Sequence, residues 1–206
     1  MALGYAKPSF VYMDIGADHG LLSMALEESG HKVYAVENKS GPYSTLCSSL
    51  KEHHSSVSAL FSDGIDTMPF DVKGIFILGM GASTIQDILF RDVNKLNRLD
   101  HIIIEPQTDP SSLFKRLYDF GFYDELGCYV YERHYYPLLR FVRGKISYTD
   151  ADLKYGSYPL RHKDPILKDK LVRELSVLES LKKQGVDVEE KRNRIMEAME
   201  IWNLGN

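Results

Sequence analysis

The stretch Asp14-Ile15-Gly16-Ala17-Asp18-His19-Gly20 follows the apolar run Phe10-Val11-Tyr12-Met13 and opens directly into Leu21-Leu22-Ser23-Met24-Ala25-Leu26. A strand that ends in a carboxylate and a glycine turn, then starts a helix, points to an open α/β sheet with a nucleotide-cofactor pocket at the carboxyl ends of its strands. The next apolar run, Val33-Tyr34-Ala35-Val36, closes on Glu37. That is about 20 residues further on, where such sheets place the acid that holds a ribose.

The same alternation continues along the chain. Strands are predicted over 10–14, 32–37, 57–61, 74–78 and 101–104. Helices are predicted over 18–29, 41–54, from a Ser83 cap to about 90, and over 111–120. Two β-rich runs, 122–132 and 135–145, follow with nothing helical between them, so they should pair as an antiparallel hairpin. These β–α repeats and the terminal hairpin predict a Rossmann-like α/β fold of the class I methyltransferase plan, mostly parallel with an antiparallel edge hairpin. After residue 147 the composition shifts to a polar, turn-rich stretch over 148–164. Leu167, Leu171, Leu175, Leu178 and Leu181 then recur at spacings of three and four, and Val188, Ile195, Met199 and Trp202 continue the pattern beyond Gly185. This predicts a C-terminal helical hairpin on a leucine seam, coiled-coil-like in character. The expected domains are 1–147, binding the cofactor, and 148–206, helical. The helical part reads equally as a stabilising or dimerising appendage and as a substrate-gripping arm.

Composition narrows the function classes. The 206 residues carry a net charge of −4, so there is no global polycation, though a local basic face remains open. Cys47 and Cys128 form no metal-ligand spacing, and the adjacent His53 and His54 cannot converge on one ion from a helix. No apolar run approaches the ~20 residues that span a bilayer. The expectation is a cytoplasmic protein, monomeric or a weak dimer, with neither a metal nor a membrane partner.

The acids around the glycine turn select the cofactor. Asp14 and Asp18 would repel a diphosphate but suit a sulfonium and an ammonium group, and S-adenosylmethionine carries both. Gly16 lets the backbone approach the ligand, and Glu37 would accept from the ribose hydroxyls. Asp63-Gly64 stands where an Asp bonds the adenine exocyclic amine, and Gly79-Met80-Gly81 would bring bare backbone against the reactive methyl. NAD-type binding is the alternative. For catalysis the candidates are Asp14, His19 and Glu105, the carboxylates to stabilise a developing positive charge and His19 to stack or donate near the methyl. Glu105 reads equally as a surface or salt-bridge residue, and His19 as a helix-start residue. The tyrosines Tyr43, Tyr129, Tyr131, Tyr135 and Tyr136 are read first as core or cross-strand pairs and second as stacking surfaces.

Taken together, Asp14-Ile-Gly-Ala-Asp-His-Gly, Lys39-Ser40-Gly41-Pro42-Tyr43, Asp63-Gly64, Gly79-Met80-Gly81, Ile104-Glu105-Pro106-Gln107 and the run from Ser147 to Gly156 resemble the bacterial tRNA (adenine-22-N1)-methyltransferases over nearly the whole chain. The resemblance implies a Rossmann-like catalytic domain, a C-terminal helical coiled-coil domain, S-adenosylmethionine as methyl donor and an adenine in the D-arm of tRNA as acceptor. Two other readings stay open. One is a methyltransferase of a small molecule or protein. The other is a degenerate methyltransferase fold acting as a binding module, which Ala82 and the Glu105-Pro106-Gln107 motif keep in view.

Overall fold

Strand β1 (Tyr12–Ile15) buries every one of its residues, as only a central strand covered on both faces can. It pairs in parallel with β2 (Val33–Glu37) on one side and β4 (Gly74–Met80) on the other, and β3 (Ser58–Phe61) extends the sheet parallel to β2. With β5 (His101–Pro106), β6 (Phe122–Glu132) and β7 (His134–Arg143) the strand order is 3-2-1-4-5-7-6, a seven-stranded sheet. The register sets Ile15 opposite Val36 and Ile77, so β2 runs on to Glu37 and β4 to Met80 past the level at which β1 ends, and Gly16, Glu37 and Met80 come together at that edge of the sheet. The computed structural model describes residues 1–204 and clusters into two compact units, Met1–Glu105 and Pro106–Asn206. Residues 205 and 206, the last of the predicted helical domain, lie outside the described residues.

The first unit surrounds its strands with α1 (Leu21–Glu28), α2 (Ser40–Glu52), α3 (Ala82–Phe90) and α4 (Val93–Leu96). The predicted Ser83 cap is not formed. Gly81 is the N-cap of α3, without a side-chain cap, and Ser83 lies inside the first turn. The strand runs two residues past the predicted end and delivers the chain to the helix as extended backbone, which leaves no room for a serine cap. Helix α4 has no counterpart in the sequence prediction. It is a single turn capped by Asp92, whose carboxylate accepts from the Asn94 and Lys95 amides.

The second unit holds α5 (Ser111–Asp119), the β6–β7 hairpin, α6 (Asp150–Tyr155), α7 (Ser157–Arg161), α8 (Pro165–Lys183) and α9 (Glu189–Leu204). The hairpin is antiparallel from Phe122↔Arg143 to Glu132↔His134, with a register shift between Asp124 and Leu126. The stretch predicted as turns contains α6 and α7. Thr149 and Asp152 form a reciprocal capping box, and Asp152, fully buried, also accepts from both terminal nitrogens of Arg161. Asp164 caps α8 through the Leu167 amide, with Pro165 in its first turn, and the indole of Trp202 donates to the Asp164 carbonyl at 3.1 Å. The leucine seam is present. Leu167, Leu171 and Leu178 are buried with Ile195 and Ala198, and the cluster continues through Tyr155 to Tyr129 on β6. That shared core groups the β-hairpin with the helices, whereas composition alone separates them at 147/148. Of the hairpin tyrosines, Tyr129 is core, while Tyr131 is 49% exposed. Among the described residues no helix is long and apolar enough to cross a membrane, and no three metal-type side chains converge.

Candidate cofactor site

The ends of β1, β2 and β4 and the turn after β3 open on a cavity of about 340 Å³, within the range of small-ligand sites. Gly16 forms its floor. Its backbone is left-handed, at φ 77°, and its amide donates to the Val36 carbonyl at 2.9 Å. A Cβ there would lie 2.4 Å from the Met80 methyl, so a side chain would meet strain and a clash in the same place. Gly64, at φ 57°, backs onto Ile88 in the same way, where a Cβ would come within 2.9 Å of Cγ2.

Glu37 ends β2 half-buried, and one carboxylate oxygen accepts from the Asp18 amide at 2.7 Å. That bond holds the loop with Asp18 in the left-handed region, φ 52°, and leaves the other oxygen for a ligand. Asp63 is braced from two sides. The Arg91 guanidinium lies 2.6 Å from one oxygen and the Asn38 amide donates to the other at 3.2 Å. These bonds, Arg91's first, hold its carboxyl below the usual carboxylate range. Arg91 also reaches Asp66 at 3.4 Å. Thr84, Asp87 and Ile88 of α3 complete the wall. Carboxylates projecting from a wall of this kind accept from hydroxyl and amine groups and repel a diphosphate.

The cavity therefore brings together five of the sequence-predicted residues: Gly16, Glu37, Asp63, Gly64 and Met80. The others lie around it. Asp14 is buried in β1 and accepts from the Ser23 hydroxyl of α1 at 2.7 Å. Burial pushes its carboxyl up to about 6, against the Ser23 hydrogen bond, and the charge of Glu37 pushes the same way. Asp18 and His19 stand exposed on the loop, 3.8 Å apart. The Gly79 amide donates to a Glu105 carboxylate oxygen at 3.1 Å, which ties the ends of β4 and β5 together, and Gly81 starts α3. Sequence reasoning missed Asn38, Thr84, Asp87 and Arg91. Asn38 directly follows the acid of β2, and Asp87 and Arg91 share a helix face at a spacing of four. Only the fold brings Arg91 to Asp63, 28 residues away.

Comparison with known proteins identifies the family and the fold. The family model described as tRNA (adenine(22)-N(1))-methyltransferase matches residues 12–203. Among solved structures, TrmK of M. capricolum in complex with S-adenosylhomocysteine superposes with a TM-score of 0.84 at 19% identity, covering 97% of this chain and 95% of that one. The B. subtilis m1A22 tRNA methyltransferase TrmK gives 0.76 at 21% identity, covering 98% and 94%. A protein of the NADB-Rossmann superfamily from Streptococcus agalactiae gives 0.84 at 23%, covering 98% and 92%. No curated protein matches the chain in sequence.

Proposed function

The chain belongs to the tRNA (adenine(22)-N(1))-methyltransferase family, and on that premise we propose which residues perform each part of the reaction. It is an S-adenosylmethionine-dependent enzyme that methylates N1 of adenine in tRNA. Glu37 accepts from the donor ribose with the oxygen that the Asp18 amide leaves open. Asp63, braced by Arg91 and Asn38, accepts from the adenine exocyclic amine. Gly16 and Gly64 keep backbone against the ligand, Gly79-Met80-Gly81 borders the reacting end, and Asp14 and Asp18 answer its cationic groups. What supports this reading is the convergence of Gly16, Glu37, Asp63, Gly64 and Met80 on one cavity floored by a glycine whose left-handed backbone strains any side chain.

The donor supplies an electrophilic methyl group on a sulfonium. Adenine N1 carries an in-plane lone pair and no proton, so the protein need not deprotonate it. The work of the chain is alignment, with the base held in line with the bond that breaks. The methylated base is cationic. Carboxylates near it, with Asp14, Asp18 and Glu105 as our candidates, stabilise charge as it develops, and His19 stacks or donates at the rim. In folded RNA the base must first be exposed, at a few kcal/mol. We further propose a division of labour at 147/148 between donor binding and the helical part, a cytoplasmic location and a monomer or weak dimer.

Labelled methyl transfer to an unmodified tRNA transcript, followed by digestion and mass spectrometry, tests the activity. N1-methyladenosine is expected, and donor binding without label on any tRNA would overturn it. For the pocket, Glu37→Gln should weaken S-adenosylhomocysteine binding about tenfold in calorimetry, the loss of one charge-assisted hydrogen bond. Unchanged affinity would remove Glu37 from the ribose site.

A further inference from the structure

The second unit carries two adjoining cavities, of about 460 and 520 Å³, that share Tyr135, Lys170 and Arg173 in their walls. Together they make one groove from the tip of the β6–β7 hairpin to α9. Its walls hold six cationic side chains against two carboxylates, Asp109 and Glu174, in a chain whose net charge is −4. Positive charge is thus concentrated on a face the overall balance conceals.

The two ends differ in chemistry. At the hairpin end, Tyr131 and Tyr135 lie with ring centroids 4.7 Å apart. The guanidinium of Arg173 sits 5.6 Å and 5.7 Å from their centres. Tyr131 is 49% exposed, although an aromatic at a hairpin tip gains by burial. Next to it Arg133 occupies the turn alone, exposed and with no carboxylate partner among the described residues. At the far end Lys154, Lys191 and Arg194 line the wall. Among the described residues Lys191 is exposed and likewise unpaired, while Arg194 is bonded to the exposed Glu190 at 3.2 Å. The Arg173–Asp169 pair at 3.1 Å is exposed on both sides, so it is weak and open to exchange. A row of cations ending in an aromatic pair, Tyr131 exposed and Tyr135 half-buried beneath the Arg173 guanidinium, matches a single nucleic-acid strand, with phosphates along the row and an unstacked base on the rings.

We infer that this groove is an RNA-positioning surface, with Lys191, Arg194 and Arg133 contacting phosphates and Tyr131, Tyr135 and Arg173 stacking one unpaired base of the substrate. The inference rests on the tRNA methyltransferase reading and adds to it the residues that hold RNA away from the reacting adenine. They are positioning residues, and their removal should raise KM rather than lower kcat.

The test uses the full-length protein and an unmodified tRNA transcript. Arg133→Gly with Lys191→Ala removes two unpaired charges from exposed positions, and glycine suits the left-handed backbone of Arg133, φ 63°. KM for tRNA should rise about tenfold with kcat within twofold, and S-adenosylhomocysteine affinity and melting temperature should not change. The salt slope of log Kd for the transcript should fall by about 0.7 to 0.9 per contact removed. Tyr131→Ala should also raise KM about tenfold, and Tyr131→Phe should restore it, because the ring face and not the hydroxyl does the stacking. Wild-type KM and salt slope in these variants, while the parent methylates tRNA, would overturn the inference and leave an acidic protein as the groove's partner. A parent that neither binds nor methylates tRNA would instead overturn the functional reading beneath it.

Discussion

Asp14→Asn should stabilise the ligand-free protein at pH 7 and at the same time weaken S-adenosylhomocysteine binding about a hundredfold. Both effects come from one buried carboxyl. Asp14 is 4% exposed and its pKa is raised from 3.8 to about 6. Its folded-state value lies above its unfolded value, so the folded protein holds the proton more tightly. Stability from this group is therefore intact below about pH 4 and is lost as pH rises through about 6. A displacement of that size corresponds to about 3 kcal/mol, which is the ceiling on what Asn recovers, since its amide oxygen can still accept from Ser23. Donor binding has the opposite sign. An ammonium or sulfonium near Asp14 needs the carboxylate, and losing a charged partner in a buried setting costs about 2–5 kcal/mol. Affinity for S-adenosylhomocysteine should thus rise from pH 5 to pH 7 and level off, and Asp14→Asn should flatten that profile as well as lower it. Calorimetry across this range, alongside thermal melts, reads both signs. Equal affinity in the variant, with the same pH dependence, would take Asp14 out of the donor site.

The largest effect expected on folding alone is at Arg161. Its guanidinium is the cationic partner of Asp152, which is fully buried and whose carboxylate also accepts from the Thr149 amide at 2.8 Å. Arg161→Ala leaves a carboxylate inside the second unit without a counter-charge. Breaking a buried pair from one side costs about 3–5 kcal/mol, and because Arg161 is itself 41% exposed, the lower end is expected. Urea unfolding should show the midpoint shift. Arg161→Met combined with Asp152→Asn should recover most of the loss, since no charge is then stranded. A single variant within 0.5 kcal/mol of the parent would show that water already solvates Asp152.

What could be read without the fold has a common character. The turn at Gly16, the acid at the end of β2, the hairpin and the leucine seam each depend on neighbours within a few residues, so alternation, spacing and turn chemistry reveal them. Where reading failed, the element was too short for periodicity or its partner too distant. Helices α6 and α7 are six and five residues long, too short to show a helical periodicity, so the stretch read as turns. Ser83 has the right chemistry for a cap, but strand β4 runs on and hands that position to Gly81.

The candidate site divides along the same line. The sequence alone determined the sheet type, the donor class and five residues of the cavity wall, because acids and glycines at strand ends can be counted along the chain. Only the tertiary structure decided that Asp14 is buried and protonated more readily than an ordinary aspartate, that one oxygen of Glu37 is already committed to Asp18, and that Arg91 and Asn38 hold Asp63. It alone assembled the cationic groove of the second unit from a hairpin tip and three helices. Desolvation and charge pairing act through space, and spacing along a chain does not specify which distant side chain will arrive.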